Sequence, residues 1–199
     1  MKNIKLTLVF ALNFLICNSI LGQPSELTTK VCNNLDLNIE DCYLSLVSQK
    51  VMPSDPSKSI IVLPKIVEKE DDYFILDSYI LIVENITGKI LSKYFESHTT
   101  NNWTSDAIEI ESIKVDTAPY NLNKSTRAFG IRVSYSGPSR VNPYSEETLS
   151  LFIEREEKII PVLTETTNVT ENEDCVEKEI IKTVKGVLKY DGKEYKNVL

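Results

Sequence analysis

The sequence predicts a mainly β protein of the α+β kind: an antiparallel β-sandwich or strongly bent sheet with one or two helices at its N-terminal end. Three observations predict it. From residue 58 onward, apolar residues recur with the two-residue period of strands. Turn signals separate those runs, among them Asp71-Asp72, Gly88 within Glu84–Lys89, Glu156-Glu157-Lys158 and Asp191-Gly192. Helical spacing is confined to residues before Met52.

The N-terminus has the three parts of a secretory signal in order. Lys2 and Lys5 form a positive start, Leu6 to Ile16 an 11-residue apolar stretch, and Ser19 to Gly22 a small-residue cleavage region before Gln23. A membrane span needs about 20 apolar residues, and Asn18 and Ser19 interrupt this one too early. A lipid-modified Cys17 is the minor alternative, disfavoured because Ile16 stands where a small residue is usual. The expected organisation is a signal peptide over residues 1–22 and one domain over 23–199, helical over 23–52 and sheet-forming over 58–199.

In the helical part, Leu27, Val31 and Leu35 recur at four-residue spacing. Ile39, Cys42, Tyr43, Leu46 and Val47 then form an amphipathic stripe, which predicts a second helix capped by Asn38 and ending near Lys50. After Met52–Ser57, Ser59 to Val67 reads as a strand with Pro64 at an edge or bend. Tyr73 to Val83 reads as a central strand covered on both faces. Glu84–Lys89 is a hairpin turn in which Gly88 supplies φ > 0, and Lys89 to Phe95 is the return strand. The alternation over Ala107–Val115 slips phase near Ser112, which predicts a β-bulge. Phe129, Ile131, Val133 and Tyr135 alternate cleanly, as do Leu149, Leu151 and Ile153. Ile159 to Leu163 is the next strand, and Thr164 to Asp174 is read as a polar loop. Ile180 to Tyr190 and Tyr195 to Leu199 form the final hairpin about Asp191-Gly192.

The chain carries 22 basic and 29 acidic residues, a net charge of −7. Loss of Lys2 and Lys5 with the signal makes this more negative, so the surface repels nucleic acid and anionic membranes. Three cysteines would remain: Cys32, Cys42 and Cys175. Export permits disulfides. The local Cys32–Cys42 pair is slightly favoured over a long-range bridge from Cys175. No Cys-x-x-Cys, HExxH or EF-hand loop is present, so no cofactor or metal is expected.

The single histidine, His98, would have to serve as base in any Ser-His-Asp arrangement, with Asp106 or Asp116 orienting it. An exposed loop histidine is the favoured reading. Glu109 with Glu111, or Asp71 with Asp72, are acid pairs of the kind glycosidases use, although such pairs arise readily in an acidic chain. Trp103 is read as a core plug rather than a sugar-stacking residue. The most distinctive region gathers Arg127, Arg132 and Arg140, three of the four arginines, with Tyr120, Tyr135 and Tyr144. Arginine and tyrosine supply binding hot spots and grip carboxylates or phosphates. The competing reading pairs Arg127 and Arg132 with the chain's own acids.

These runs, together with Tyr144–Phe152, resemble segments of a family of uncharacterised exported proteins of Gram-negative bacteria, over residues 60–155. The resemblance implies export and brings no known activity. The expected function is therefore a periplasmic or secreted, non-catalytic binding protein whose partner is an envelope or extracellular protein or a glycan. The alternative is a secreted esterase- or glycosidase-like hydrolase using His98 or an acid pair.

Overall fold

The computed structural model describes residues 24–141, 143–173, 176–180, 187–190 and 193–196. The signal peptide with Cys17, the Cys175 thiol and the Asp191-Gly192 turn lie outside the described residues. The fold is mainly β, as expected, and its sheet is nearly closed and barrel-like.

The chain opens with helix α1, Glu26–Asn34, capped by Ser25, whose hydroxyl accepts from the Thr28 N–H. Strands β1 (Ser48–Met52), β2 (Asp55–Lys69), β3 (Phe74–Glu84) and β4 (Ile90–Glu96) form an antiparallel meander. A short helix α2 (His98–Asn101) and strand β5 (Thr104–Ser105) follow. A second meander contains β6 (Glu109–Asn121), β7 (Arg127–Gly137), β8 (Tyr144–Arg155) and β9 (Lys158–Glu173). The sheet order is β1-β2-β3-β4-β9-β8-β7-β6, with β5 added to β3 and β10 (Val176–Ile180) added to β9. Strands β11 (Val187–Tyr190) and β12 (Lys193–Lys196) form a separate hairpin.

Two seams join the meanders. At one, β4 and β9 run parallel and pair at a single position, Lys93 opposite Lys158. At the other, β6 lies beside β1, and the Val115 N–H donates to Ser48 Oγ at 3.1 Å. The shared interior does most of the joining. Ile60 and Val62 of β2, Ile80 and Ile82 of β3, Ile131 and Val133 of β7 and Phe152 of β8 form one buried cluster with Trp103. Each such side chain contributes about 1.5–3 kcal/mol when fully buried.

Strand periodicity explains the two outer layers. Ile61, Leu63, Leu81 and Val83 point away from the barrel and meet Leu27, Val31 and Cys32 of α1, so β2 and β3 are covered on both faces. On the opposite meander, Leu149, Leu151 and Ile153 pack with Tyr120, Leu122 and Ala128. Gly88 adopts φ +70°, and a Cβ there would stand 2.6 Å from Lys30 Cβ. Glycine thus serves both the hairpin and the close approach of α1. The bulge expected near Ser112 appears as a register shift between Ile110 and Ser112.

Two expectations are corrected. The helix expected over Ile39–Val47 is instead two 3-10 turns, Ile39–Asp41 and Leu44–Leu46. Asn38 does cap the first, but the Tyr43 N–H donates to Pro64 O and Cys42 bridges to Lys65. The sheet takes the backbone groups a continuous helix would need. The polar loop expected from Thr164 is also absent: β9 runs to Glu173, paired with β8 and, at its far end, with β10. Pro64 itself lies past the last β1 pair at Val62, where β2 has no β1 neighbour to receive an N–H.

The β8–β9 turn places Glu156 and Glu157 at φ 53° and 59°. Two left-handed non-glycine residues each cost about 1 kcal/mol or more, and this geometry favours Asn-Gly. The double substitution Glu156→Asn, Glu157→Gly should raise the unfolding free energy by about 1 kcal/mol, read from urea unfolding. An unchanged or lower midpoint would show that the turn is not strained.

Candidate functional site

The register fixes which side chains face the barrel interior. Ser78 pairs with Glu96 and Ile80 with Tyr94 across β3–β4. Tyr135 pairs with Glu146, Val133 with Thr148, Ile131 with Ser150 and Phe129 with Phe152 across β7–β8. At the end nearest α2 these side chains leave a cavity of about 240 Å³. Its floor is apolar, made by Ile80, Ile131, Val133 and Phe152, and its wall carries Ser78, Thr148, Ser150 and Thr164. The cavity spans the β4–β9 seam between Glu96 and Thr164.

The segment after β4 builds one side of this site. The Asn101 side chain donates to Leu76 O at 3.0 Å and accepts from the Trp103 N–H at 2.8 Å. Leu76 N–H in turn donates to Trp103 O. Asn102 turns the chain through the left-handed region at φ 57°, which asparagine tolerates. The result holds Trp103 in the core, as a plug, with only 7% of its surface exposed and its side chain lining the cavity. Above it, Ser150 Oγ and Thr164 Oγ1 lie 3.1 Å apart. Burial, then the neighbouring Glu146 and Tyr144, pushes the Tyr135 phenol up to about 12, so it remains a neutral hydroxyl.

The six Arg and Tyr candidates occupy several places rather than one surface. Arg132 and Tyr120 meet on the outer face of the second meander. Arg132 Nε donates to Asp116 at 2.8 Å, Nη1 to Glu147 at 2.6 Å and Nη2 to the Tyr120 hydroxyl at 3.1 Å. Tyr120 donates to Asp116 at 2.6 Å. Arg127 lies toward the other end of β7 and donates to Thr117 O at 2.6 Å. Tyr135 lines the cavity, whereas Arg140 belongs to the β7–β8 connection and Tyr144 opens β8, donating to Glu146 at 2.5 Å. The Arg132 side chain is therefore engaged by the chain's own carboxylates.

His98 has a carboxylate partner, but it is Asp77 rather than Asp106 or Asp116. Asp77 Oδ1 accepts from the His98 N–H and lies 2.8 Å from Nδ1. Ser97 Oγ lies 3.5 Å from that same Nδ1. A serine nucleophile in a triad must instead meet the far ring nitrogen. Asp77 also alternates with the cavity-lining Ser78 and so points to the outer face. Glu109 and Glu111 are both exposed and are separated by the bulge. Among the described residues, no three His, Cys, Asp or Glu side chains converge to hold a metal ion, and no helix is long and apolar enough to cross a membrane.

Cys32 and Cys42 are buried thiols with sulfurs 3.7 Å apart, wider than the roughly 2.05 Å of a disulfide. The hydrogen bond to Cys32, then burial, holds the Cys42 thiol protonated.

No protein-family model, curated protein or solved structure matches the chain.

Burial opposes the charge on Asp116, but hydrogen bonds from Tyr120, the Ala118 N–H and Arg132 outweigh it and hold its carboxyl below the usual range. A carboxyl depressed in the folded state stabilises above its unfolded value of about 3.9, and that contribution is lost as pH falls through the folded value. Arg132→Ala should cost about 2 kcal/mol of stability, and Asp116→Asn should flatten the acid limb of the stability–pH curve below about pH 4. Urea titrations across pH check both. An Arg132→Ala protein as stable as the wild type would show the network to be energetically idle and return that arginine to the surface candidates.

Proposed function

We propose that the protein is an exported, non-catalytic binding protein that takes a small ligand into the end of its barrel. The observation that carries this reading is the cavity at the β4–β9 seam, where an apolar floor meets converging hydroxyls. Such a combination is the usual make-up of a small-molecule site. At about 240 Å³ it lies below the roughly 300–1,000 Å³ of drug-sized pockets, so the occupant is small. The hydrolase alternative has less support, because the Asp77–His98 pair and the exposed acid pair face away from this cavity.

Export rests on the N-terminal signal and on the resemblance to exported proteins of Gram-negative bacteria, and it favours a periplasmic or secreted location. The buried Cys32 and Cys42 are neighbours that an oxidising compartment would join after a small approach of the sulfurs. That bond would tie α1 to the 3-10 turns and contribute about 3 kcal/mol. Intact mass and non-reducing peptide mapping of the exported protein should show a chain beginning at Gln23 with Cys32 linked to Cys42. A retained N-terminus, or Cys175 linked to either cysteine, would count against these assignments.

The chain has one tryptophan, and it lines the cavity, so Trp103 is a built-in reporter. A library of small metabolites should include compounds that change Trp103 emission saturably. Ser150→Phe, which fills the cavity, should abolish that response while the protein keeps its fold by circular dichroism. Responses that persist undiminished in the filled variant, or a library with no saturating compound, would overturn the cavity as the binding site.

A further inference from the structure

Resting on the cavity as a binding site, we infer that its ligand is a small organic cation, an amine or quaternary ammonium compound with a short apolar shell. Charge is the first observation. Of the residues that line the cavity, none is lysine, arginine or histidine, and Glu96 is a carboxylate. This interior would repel an anion and attract a cation.

Aromatic geometry is the second observation, and it is independent of that carboxylate. Trp103, Tyr135 and Phe152 present rings to the same space, and Tyr94 packs against Phe152 with centroids 5.5 Å apart. Aromatic rings attract a cation through their negative faces, by about 0.5–1 kcal/mol where the site is open to solvent and more where it is closed off. Quaternary ammonium groups are the ligands that aromatic cages of this kind take.

The floor decides between a cation and a neutral polyol. Ile80, Ile131 and Val133 offer methyl contacts and no hydrogen bonds, which suits methyl or methylene groups around a charge. A sugar hydroxyl placed against those three side chains would stay unpaired, at a cost of about 1–3 kcal/mol. Of the two asparagines that line the cavity, the Asn101 side chain is already committed to Leu76 O and the Trp103 N–H. Ser150 and Thr164 remain at the wall to meet one polar substituent on the ligand. Burial and the adjacent Glu96 carboxylate keep Tyr94 in its neutral form, so its hydroxyl adds no competing charge. An ionised carboxylate has about four acceptor positions, which leaves Glu96 capacity for a cation beside its contact with Tyr94.

The test uses protein expressed from the full chain and three probes at constant ionic strength: choline chloride, its neutral isostere 3,3-dimethylbutan-1-ol, and sodium butyrate. Trp103 emission is the readout. Choline should saturate at a concentration about tenfold or more below the isostere, consistent with the charge and ring contributions. Butyrate should not saturate. Glu96→Gln should shrink the preference for choline over the neutral isostere, and circular dichroism checks that the variant is folded. Equal saturation by choline and the isostere, both lost in Ser150→Phe, would keep the cavity as a binding site and overturn the cation assignment. Tighter binding of butyrate, or of glucose added as a neutral polyol, would overturn it in the same way. No response to any probe would also overturn it, and the library comparison with Ser150→Phe would then decide the cavity reading separately.

Discussion

The fold depends on burial of one apolar interior shared by two four-stranded meanders that hardly hydrogen-bond to each other. Within each meander the ladders are long and antiparallel. Between them there is one parallel pair, Lys93 with Lys158, and on the other side the contact of β6 with β1 through Ser48. Backbone pairing therefore cannot hold the halves in register. Ile60, Val62, Ile80 and Ile82 from one side must meet Ile131, Val133 and Phe152 from the other, and non-directional burial does what hydrogen bonds do elsewhere.

That constraint also locates the candidate site. Where large apolar side chains fill the barrel, the meanders close on each other. Toward α2 the interior positions change to Ser78, Thr148, Ser150 and Thr164, which are too small to meet across the gap, and a cavity remains at the weaker seam. Outside the barrel a second hollow of about 250 Å³ lies between the start of α1 and the second 3-10 turn, lined by Ser25, Thr28, Leu44, Val47 and Gln49. There α1 covers one meander, and the Arg132 network with its apolar neighbours covers the other. The hydroxyl-lined cavity sits inside the barrel, and the conspicuous arginine on the outside acts as a tether among β6, β7 and β8.

Much of the fold was legible because local signals agreed with the final structure. Gly88 announced its hairpin, the phase slip at Ser112 announced its bulge, and the apolar run of β3 announced a strand covered on both faces. The failures share a cause: distant chain segments overrode local pattern. Ile39–Val47 has helical spacing, but Pro64 O and Lys65 claim its backbone groups. The polar half of β9 lacks a strand's apolar alternation, yet β8 and β10 pair with it through backbone groups that no side-chain pattern reports. The closure of the sheet into a barrel, rather than a sandwich, was equally invisible. For the site, Arg132, taken as a binding candidate, follows the competing reading and pairs with the chain's own acids, whereas Trp103 as a plug followed from residue type. The Asp77–His98 pair did not, because its members are 21 positions apart. Nor did the cavity, since serines and threonines read as unremarkable until two meanders bring them face to face.

Each meander is also continuous in sequence, the first ending at Glu96 and the second beginning at Glu109. Most strand pairing therefore closes short loops between neighbours, which costs little chain entropy. Only the docking of one half against the other joins distant segments. Topologies rich in local contacts assemble quickly, and the long-range step sets the pace. Docking of the two meanders, which meet through a single ladder pair at the β4–β9 seam, is then the step expected to limit the rate of folding.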